Sequence, residues 1–284
     1  MTNLVTLPTA EQSALVALAC AGLNGHPAIS DAIARAGGAM ELLEQLHDDP
    51  DCTELRSDLI ERVERCGTPA AVARALEATR LGGMRLVGQS DPEWPDGLRD
   101  LGRGMPRVLW MAGAHNNGAD RPVGIVGGAH PTPSARRHLL EVAVGVLDAG
   151  YQATSSMRIG VDRNVLEATI ATEGRALITA YDPQLIGACR DHPRITLVSE
   201  NPPGAPVGLR SARRAHALPA VMSQRILVVD STDNGPALHA GLAASALGRP
   251  LAVLAGAVTE GDDRLRRQFG AREIQTAKDL IRLS

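Results

Sequence analysis

Residues 121–180 read RPVGIVGGAHPTPSARRHLLEVAVGVLDAGYQATSSMRIGVDRNVLEATIATEGRALITA. VGIV, QATS and ALITA are short strand-like runs, and the segments between them, near 134–149 and 162–173, repeat apolar residues at helical spacing. The same alternation continues with ITLVS, ILVV, a helix near 236–247 and PLAVLA. Near-continuous apolar strands separated by helices are the mark of βαβ units on a parallel sheet covered on both faces. The expected fold class is therefore α/β, a Rossmann-like, doubly wound, mostly parallel sheet. Its ligand should sit on the loops at the carboxyl ends of the strands, where helix N-termini present free N–H groups.

Upstream, Thr9 to about Ala78 reads as short helices, among them EQSALVALACAGL (11–23) and SDAIARAGGAMELLEQL (30–46), with Ser30 offering an N-cap. A turn-rich stretch follows, GQSDPEWPDGLRDLGRGMP (88–106), in which three prolines and several glycines argue against a long regular element, and Trp94 is the expected anchor. The organisation expected is a helical domain over 1–80, a linker over 81–120 that packs on the sheet, and the Rossmann-like domain over 121–284.

The 284 residues carry a formal charge of -3, so any contact with nucleic acid must come from a local basic patch. Lys278 is the only lysine, which excludes a P-loop lysine, a Schiff base and other ammonium chemistry and leaves cationic work to arginine. Cys20, Cys52, Cys66 and Cys189 form no C-x-x-C pair and lie at no zinc-ligand spacing from a histidine, so no metal site is expected, nor any cofactor. The N-terminus lacks the basic and apolar regions of a signal peptide and the apolar runs fall short of the roughly 20 residues needed to span a bilayer, so a cytoplasmic protein without membrane contact is expected. Aromatic residues are few (Trp94, Trp110, Tyr151, Tyr181, Phe269), which disfavours a base-stacking platform.

Four stretches could carry function. In GIVGGAHPT (124–132) a strand enters Gly127 and Gly128 and then a helix start with Thr132, a shape that cradles phosphate or merely turns tightly. TSSMRIGVD (154–162) offers Ser155, Arg158 and Gly160, with Asp162 reading first as a helix N-cap. DSTDNGPALHAG (230–241) places Asn234 and Gly235 in a turn before Pro236, and His239 one turn in, where it bonds a phosphate or is simply packed. LRSARRAHALPAVMSQR (209–225) holds Arg210, Arg213, Arg214 and Arg225, a cationic cluster or a solvated helix face.

Taken in order, these pieces resemble the DprA/Smf DNA-processing family. The family's D-P-x-Y-P-x-x-L-R-x-L segment reads DPEWPDGLRDL (91–101) here, MPRVLWMAG (105–113) stands at its P-P-x-L-x-x-x-G element, and S-E-x-P-P-G is intact at Ser199–Gly204. Its V-G-S-R-x-x-T loop corresponds to Val126–Thr132, its S-G-x-A-x-G-I-D loop to Ser155–Asp162, its S-G-x-x-x-T-A motif to Asn234–Ala240, and its G-R-x-V-x-A-V-P-G to GRPLAVLAG (248–256). The chain departs where the family's arginines hold the nucleic-acid backbone, carrying Ala129, Ala215 and Ala217 instead, with Arg213 and Arg214 close by; Leu166 replaces an expected histidine, and no winged-helix segment follows IQTAKDLIRLS.

The resemblance implies a non-enzymatic homodimer that binds single-stranded DNA, protects it and loads RecA during DNA uptake or recombination, with affinity reduced by the missing arginines. It places phosphate contacts at Gly127, Gly128 and Thr132, at Ser155, Gly160 and Asp162, at Asn234, Gly235 and His239, and charge at Arg158, Arg213 and Arg214. The alternative is a Rossmann-like sensor of a nucleotide or nucleotide-derived ligand that has lost DNA binding. Ranked lower are a nucleoside-monophosphate hydrolase, whose glycine triplet and glutamate DNGPALHAG lacks, and a scaffold acting through dimerisation alone.

Overall fold

The computed structural model describes residues 9–114, 121–182, 192–205, 209–256 and 259–284. Cys189 and His115 lie outside the described residues, and so does the side chain of Arg210. Among the described residues five α-helices come first: α1 (Ala10–Cys20), α2 (Pro27–Ala36), α3 (Ala39–Asp48), α4 (Ser57–Cys66) and α5 (Pro69–Leu81). Ile29 and Ile33, Leu42 and Leu46, and Leu59 and Val63 are pairs one helical turn apart, and they meet Leu18 and Leu23 in one buried cluster. Thr9 and Gln12 close a reciprocal capping box on α1.

The expected helix over 30–46 is two helices. Gly37, at φ +98, ends α2, and Gly38 precedes α3. Ser30 is not a cap either: Pro27 takes the first helical position after His26, which moves the start upstream and leaves Ser30 buried inside α2.

Among the described residues nine strands form one sheet in the order β1-β2-β6-β5-β4-β3-β7-β8-β9. They are β1 (Arg85–Gly88), β2 (Val108–Gly113), β3 (Pro122–Gly127), β4 (Gln152–Ser156), β5 (Arg175–Thr179), β6 (Ile195–Ser199), β7 (Arg225–Val229), β8 (Leu251–Leu254) and β9 (Arg272–Ile274). From β6 through β9 every neighbouring pair is parallel, and β1 and β2 add an antiparallel edge. The stretch read as a linker thus supplies two strands and, between them, 3-10 turns over Asp96–Gly104 that break at Gly102. Trp94 anchors it as expected: it is 2% exposed and packs with Leu98, Leu109 and Leu218.

The helices α6 (Pro133–Asp148), α7 (Val161–Ala171) and α11 (Ala277–Ile281) cover one face, while α8 (Leu209–Val221), α9 (Pro236–Ala246) and α10 (Glu260–Phe269) cover the other. From β3 the chain winds outward through β4, β5 and β6, then returns to lay β7 against the other side of β3. The reversal between β3 and β7 is the switch point at which this architecture opens a crevice.

Asn24 ties the helical domain to the sheet. Its amide nitrogen donates to the carbonyls of Val108 and Glu200, each at 2.8 Å, and its oxygen accepts from Arg107 N–H at 2.8 Å. Trp110, on β2, adds an indole N–H donated to the Thr79 hydroxyl of α5 at 3.0 Å. Trp110→Phe removes that bond and part of a fully buried side chain, and equilibrium urea denaturation should show a loss of about 2 kcal/mol.

Candidate nucleic-acid interface

Loops after β3, β4 and β7 meet at the carboxyl end of the sheet, and they approach so closely that side chains are excluded. A Cβ on Gly127 would stand 2.3 Å from the Val229 carbonyl oxygen, and one on Gly160, at φ +87, 2.3 Å from that of Gly128. Between these backbones run hydrogen bonds that use the N–H groups a phosphate would need. Gly128 N–H donates to Val229 O at 2.9 Å, and Gly127 N–H donates to Asp162 Oδ1 at 2.9 Å.

Three aspartates complete the stitching. Asp162 accepts from Gly127 N–H and from the Ser156 hydroxyl, Asp230 accepts Thr132 N–H at 2.9 Å, and Asp262 accepts both the N–H and the hydroxyl of Ser231 at 3.0 and 2.6 Å. Asp162 is therefore not the N-cap of α7, a position held by Gly160; its carboxylate points back into the β3 loop. Burial pushes its pKa up to about 6, against the opposing pull of Ser156, Gly127 N–H and Arg158. Burial likewise raises Asp262.

The predicted site residues accordingly divide. Gly127 and Gly128 hold the backbone geometry, with their N–H groups engaged inside the protein. Ser155 faces the interior, its hydroxyl bonded to Ile125 O at 2.7 Å, so it cannot reach a ligand. Thr132 caps α6 by accepting Ala135 N–H at 3.2 Å and is exposed at the rim. Asn234, at φ +61, is exposed in the turn before Gly235, the N-cap of α9, and His239 is partly buried on that helix.

The two adjacent arginines of α8 differ sharply. Arg213 is exposed, whereas Arg214 grips Glu200 with two nitrogens at 2.8 and 2.5 Å and donates to Gly104 O at 2.9 Å and Gly25 O at 3.5 Å. Arg214 is thus a clamp between the helical domain, the 3-10 stretch and α8, and is unavailable to a phosphate. The intact Ser199–Gly204 motif supplies its carboxylate partner. Arg158 lies near Asp162 and His216; burial and this guanidinium pull the His216 pKa down to about 4, leaving its ring neutral at pH 7.

Sequence reading passed over Arg136 and Arg137. Both are exposed early in α6, where they edge an open groove with Pro131, Pro133 and Leu140. Arg136 also donates to Asn164 at 3.2 Å. The signal was available: α6 and α8 carry no acidic residue in their first turns. Cations placed near the positive end of a helix are unfavourable unless an anion joins them. Among the described residues no group of three His, Cys, Asp or Glu side chains could hold a metal ion, and no helix is long and apolar enough to cross a membrane.

Comparison with known proteins places the chain among relatives. The sequence model of one family, DNA recombination-mediator protein A, matches residues 85–284. DNA processing protein A from Streptococcus pneumoniae shares the fold at a TM-score of 0.76 and 17% identity, covering 98% of this chain and 99% of that one. DNA processing protein A from Helicobacter pylori, described for its binding of single-stranded DNA, aligns at a TM-score of 0.61 and 16% identity over 70% of this chain and 94% of its own. A search of curated protein sequences gives no significant match.

Proposed function

The chain belongs to the DNA recombination-mediator protein A family, and from that premise we propose that it binds single-stranded DNA at the carboxyl end of its sheet. The observation that carries the reading is the set of arginines there, Arg136, Arg137, Arg158 and Arg213, around loops whose own N–H groups are engaged internally. Side-chain cations on a rim suit a flexible polyanion that runs past the site, since each guanidinium can take one phosphate along the backbone. A mononucleotide sensor at the same loops would need the N–H groups that Asp162, Asp230 and Val229 now hold. Ala129 and Ala215 supply no cation, and Ala215 is buried in α8, so the affinity is modest and falls with salt less steeply than a fuller set of arginines would make it.

The role is binding rather than catalysis, because the aspartates at the site are engaged in holding loops together. In keeping with the family resemblance, the protein works in the cytoplasm as a homodimer that protects the strand and passes it to the RecA recombinase during DNA uptake or recombination. Arg158→Ala combined with Arg213→Ala tests the interface. The slope of log affinity against log salt should fall by about 1.4, at roughly 0.7 per phosphate contact on single strands, with about tenfold weaker binding at low salt. An unchanged slope would remove both residues from the interface.

A further inference from the structure

Among the described residues the exposed large apolar side chains are Met40, Leu81, Ile159 and Ile170. Met40 and Leu81 belong to the helical domain, and Ile170 lies in the last turn of α7, which runs away from the carboxyl end of the sheet. Ile159 stands on the loop between β4 and α7, at that end, and is 66% exposed. Apolar side chains scattered singly over a surface are ordinary. Ile159 differs in how it is mounted and in what surrounds it.

The backbone is pinned on both sides of it. Met157 N–H donates to Thr179 O at 2.9 Å, and Val161 N–H donates to Gly128 O at 3.1 Å. Gly160, the next residue, lies so close to the β3 loop that no Cβ fits there. A β-branched side chain is itself stiff at χ1, so little freedom remains to be lost when something covers Ile159. The residue before it is Arg158, one of the cations of the rim.

Aromatic side chains, the usual platforms for bases, are engaged elsewhere. Trp94 and Trp110 are buried, and Phe269 packs against the aliphatic cluster under α9. Tyr151 lies at the amino end of β4 with the Arg121 guanidinium 4.4 Å from its ring centre, and Tyr181, after β5, is partly buried. Ile159 is therefore the one exposed large apolar side chain, among the described residues, that a strand following the arginine rim would meet.

A single strand held by its phosphates can turn a base off the stack, and that base then has an apolar face in water. Isoleucine is among the side chains that serve as wedges against such faces. We infer that Ile159 is an apolar wedge against which an unstacked base of the bound single strand packs. The side chain carries no hydrogen-bonding group, so the contact favours an unstacked strand over a duplex without reading base identity. This rests on the single-strand reading proposed above and adds to it a contact that salt does not screen.

Anisotropy titrations of the full chain with a labelled oligodeoxyadenylate over a series of salt concentrations test the wedge. A parallel titration uses the same strand carrying one 2-aminopurine, whose emission rises when it leaves the stack. Ile159→Ala, a change at an exposed position, should bind about fivefold more weakly at every salt concentration. Its slope of log affinity against log salt should equal that of the parent, because no charge is removed. The emission rise seen with the parent should shrink in Ile159→Ala, and Ile159→Met should restore both affinity and emission. Affinity unchanged in Ile159→Ala, or a loss that appears in the salt slope, would overturn the wedge and leave the arginine rim standing. A parent that binds no single strand at low salt would instead overturn the DNA reading, and the wedge with it.

Discussion

Arg214→Ala should lose about 3–5 kcal/mol of unfolding free energy, measured by equilibrium urea denaturation, because it strands Glu200. That carboxylate has only 6% of its side-chain surface exposed and receives both of its strong hydrogen bonds from this guanidinium. Burial alone would push the Arg214 pKa down, yet the bonds and charge of Glu200 raise it, so the pair is held ionised by mutual contact. The substitution also releases Gly104 O and Gly25 O, loosening the helical domain against the sheet. Arg214→Lys should recover little, since an ammonium cannot reproduce the two-pronged contact. A loss under 1 kcal/mol would mean that Glu200 finds water or another partner.

Asp162→Asn should change how stability depends on pH. A carboxyl whose pKa rises from 3.8 to about 6 on folding favours the native state most when protonated in both states. Its contribution is therefore complete below the unfolded value and is lost as pH climbs through about 6, by about 3 kcal/mol in total. Asparagine can still accept from Gly127 N–H and can donate to the Ser156 hydroxyl, and it does not ionise. The unfolding free energy of the variant relative to the parent should thus rise by about 2.4 kcal/mol between pH 4 and pH 7. The other titrating groups are common to both proteins, so they cancel. A difference constant across this range would show that Asp162 ionises in the folded protein as it does in the unfolded chain.

Both residues show where sequence reading reaches its limit. The strand and helix alternation over 121–254 was legible because strands buried on both faces read as continuous apolar runs, and VGIV, ALITA, ITLVS and ILVV fall on β3, β5, β6 and β7. Trp94 was legible as an anchor because a lone indole among turn residues has few other uses. The short antiparallel strands β1 and β2 were hidden, since prolines and glycines flank both and the pairing of β2 with β6 is a tertiary matter. Asp162 resembled a cap because helix starts favour aspartate, yet its partner is 35 residues upstream; Asp230 reaches Thr132 across 98. Arg213 and Arg214 are alike in sequence, and only the buried Glu200 separates a clamp from an exposed cation.

On the proposed reading, arginine side chains at the carboxyl end of the sheet hold single-stranded DNA without the help of the glycine loops. Fluorescence anisotropy of a labelled single-stranded oligonucleotide, titrated with the protein at low and physiological salt against duplex and mononucleotide competitors, tests it most directly. Salt-sensitive binding that excess duplex and mononucleotides fail to displace is the expected result. Absence of binding at low salt, or displacement by a mononucleotide, would contradict it.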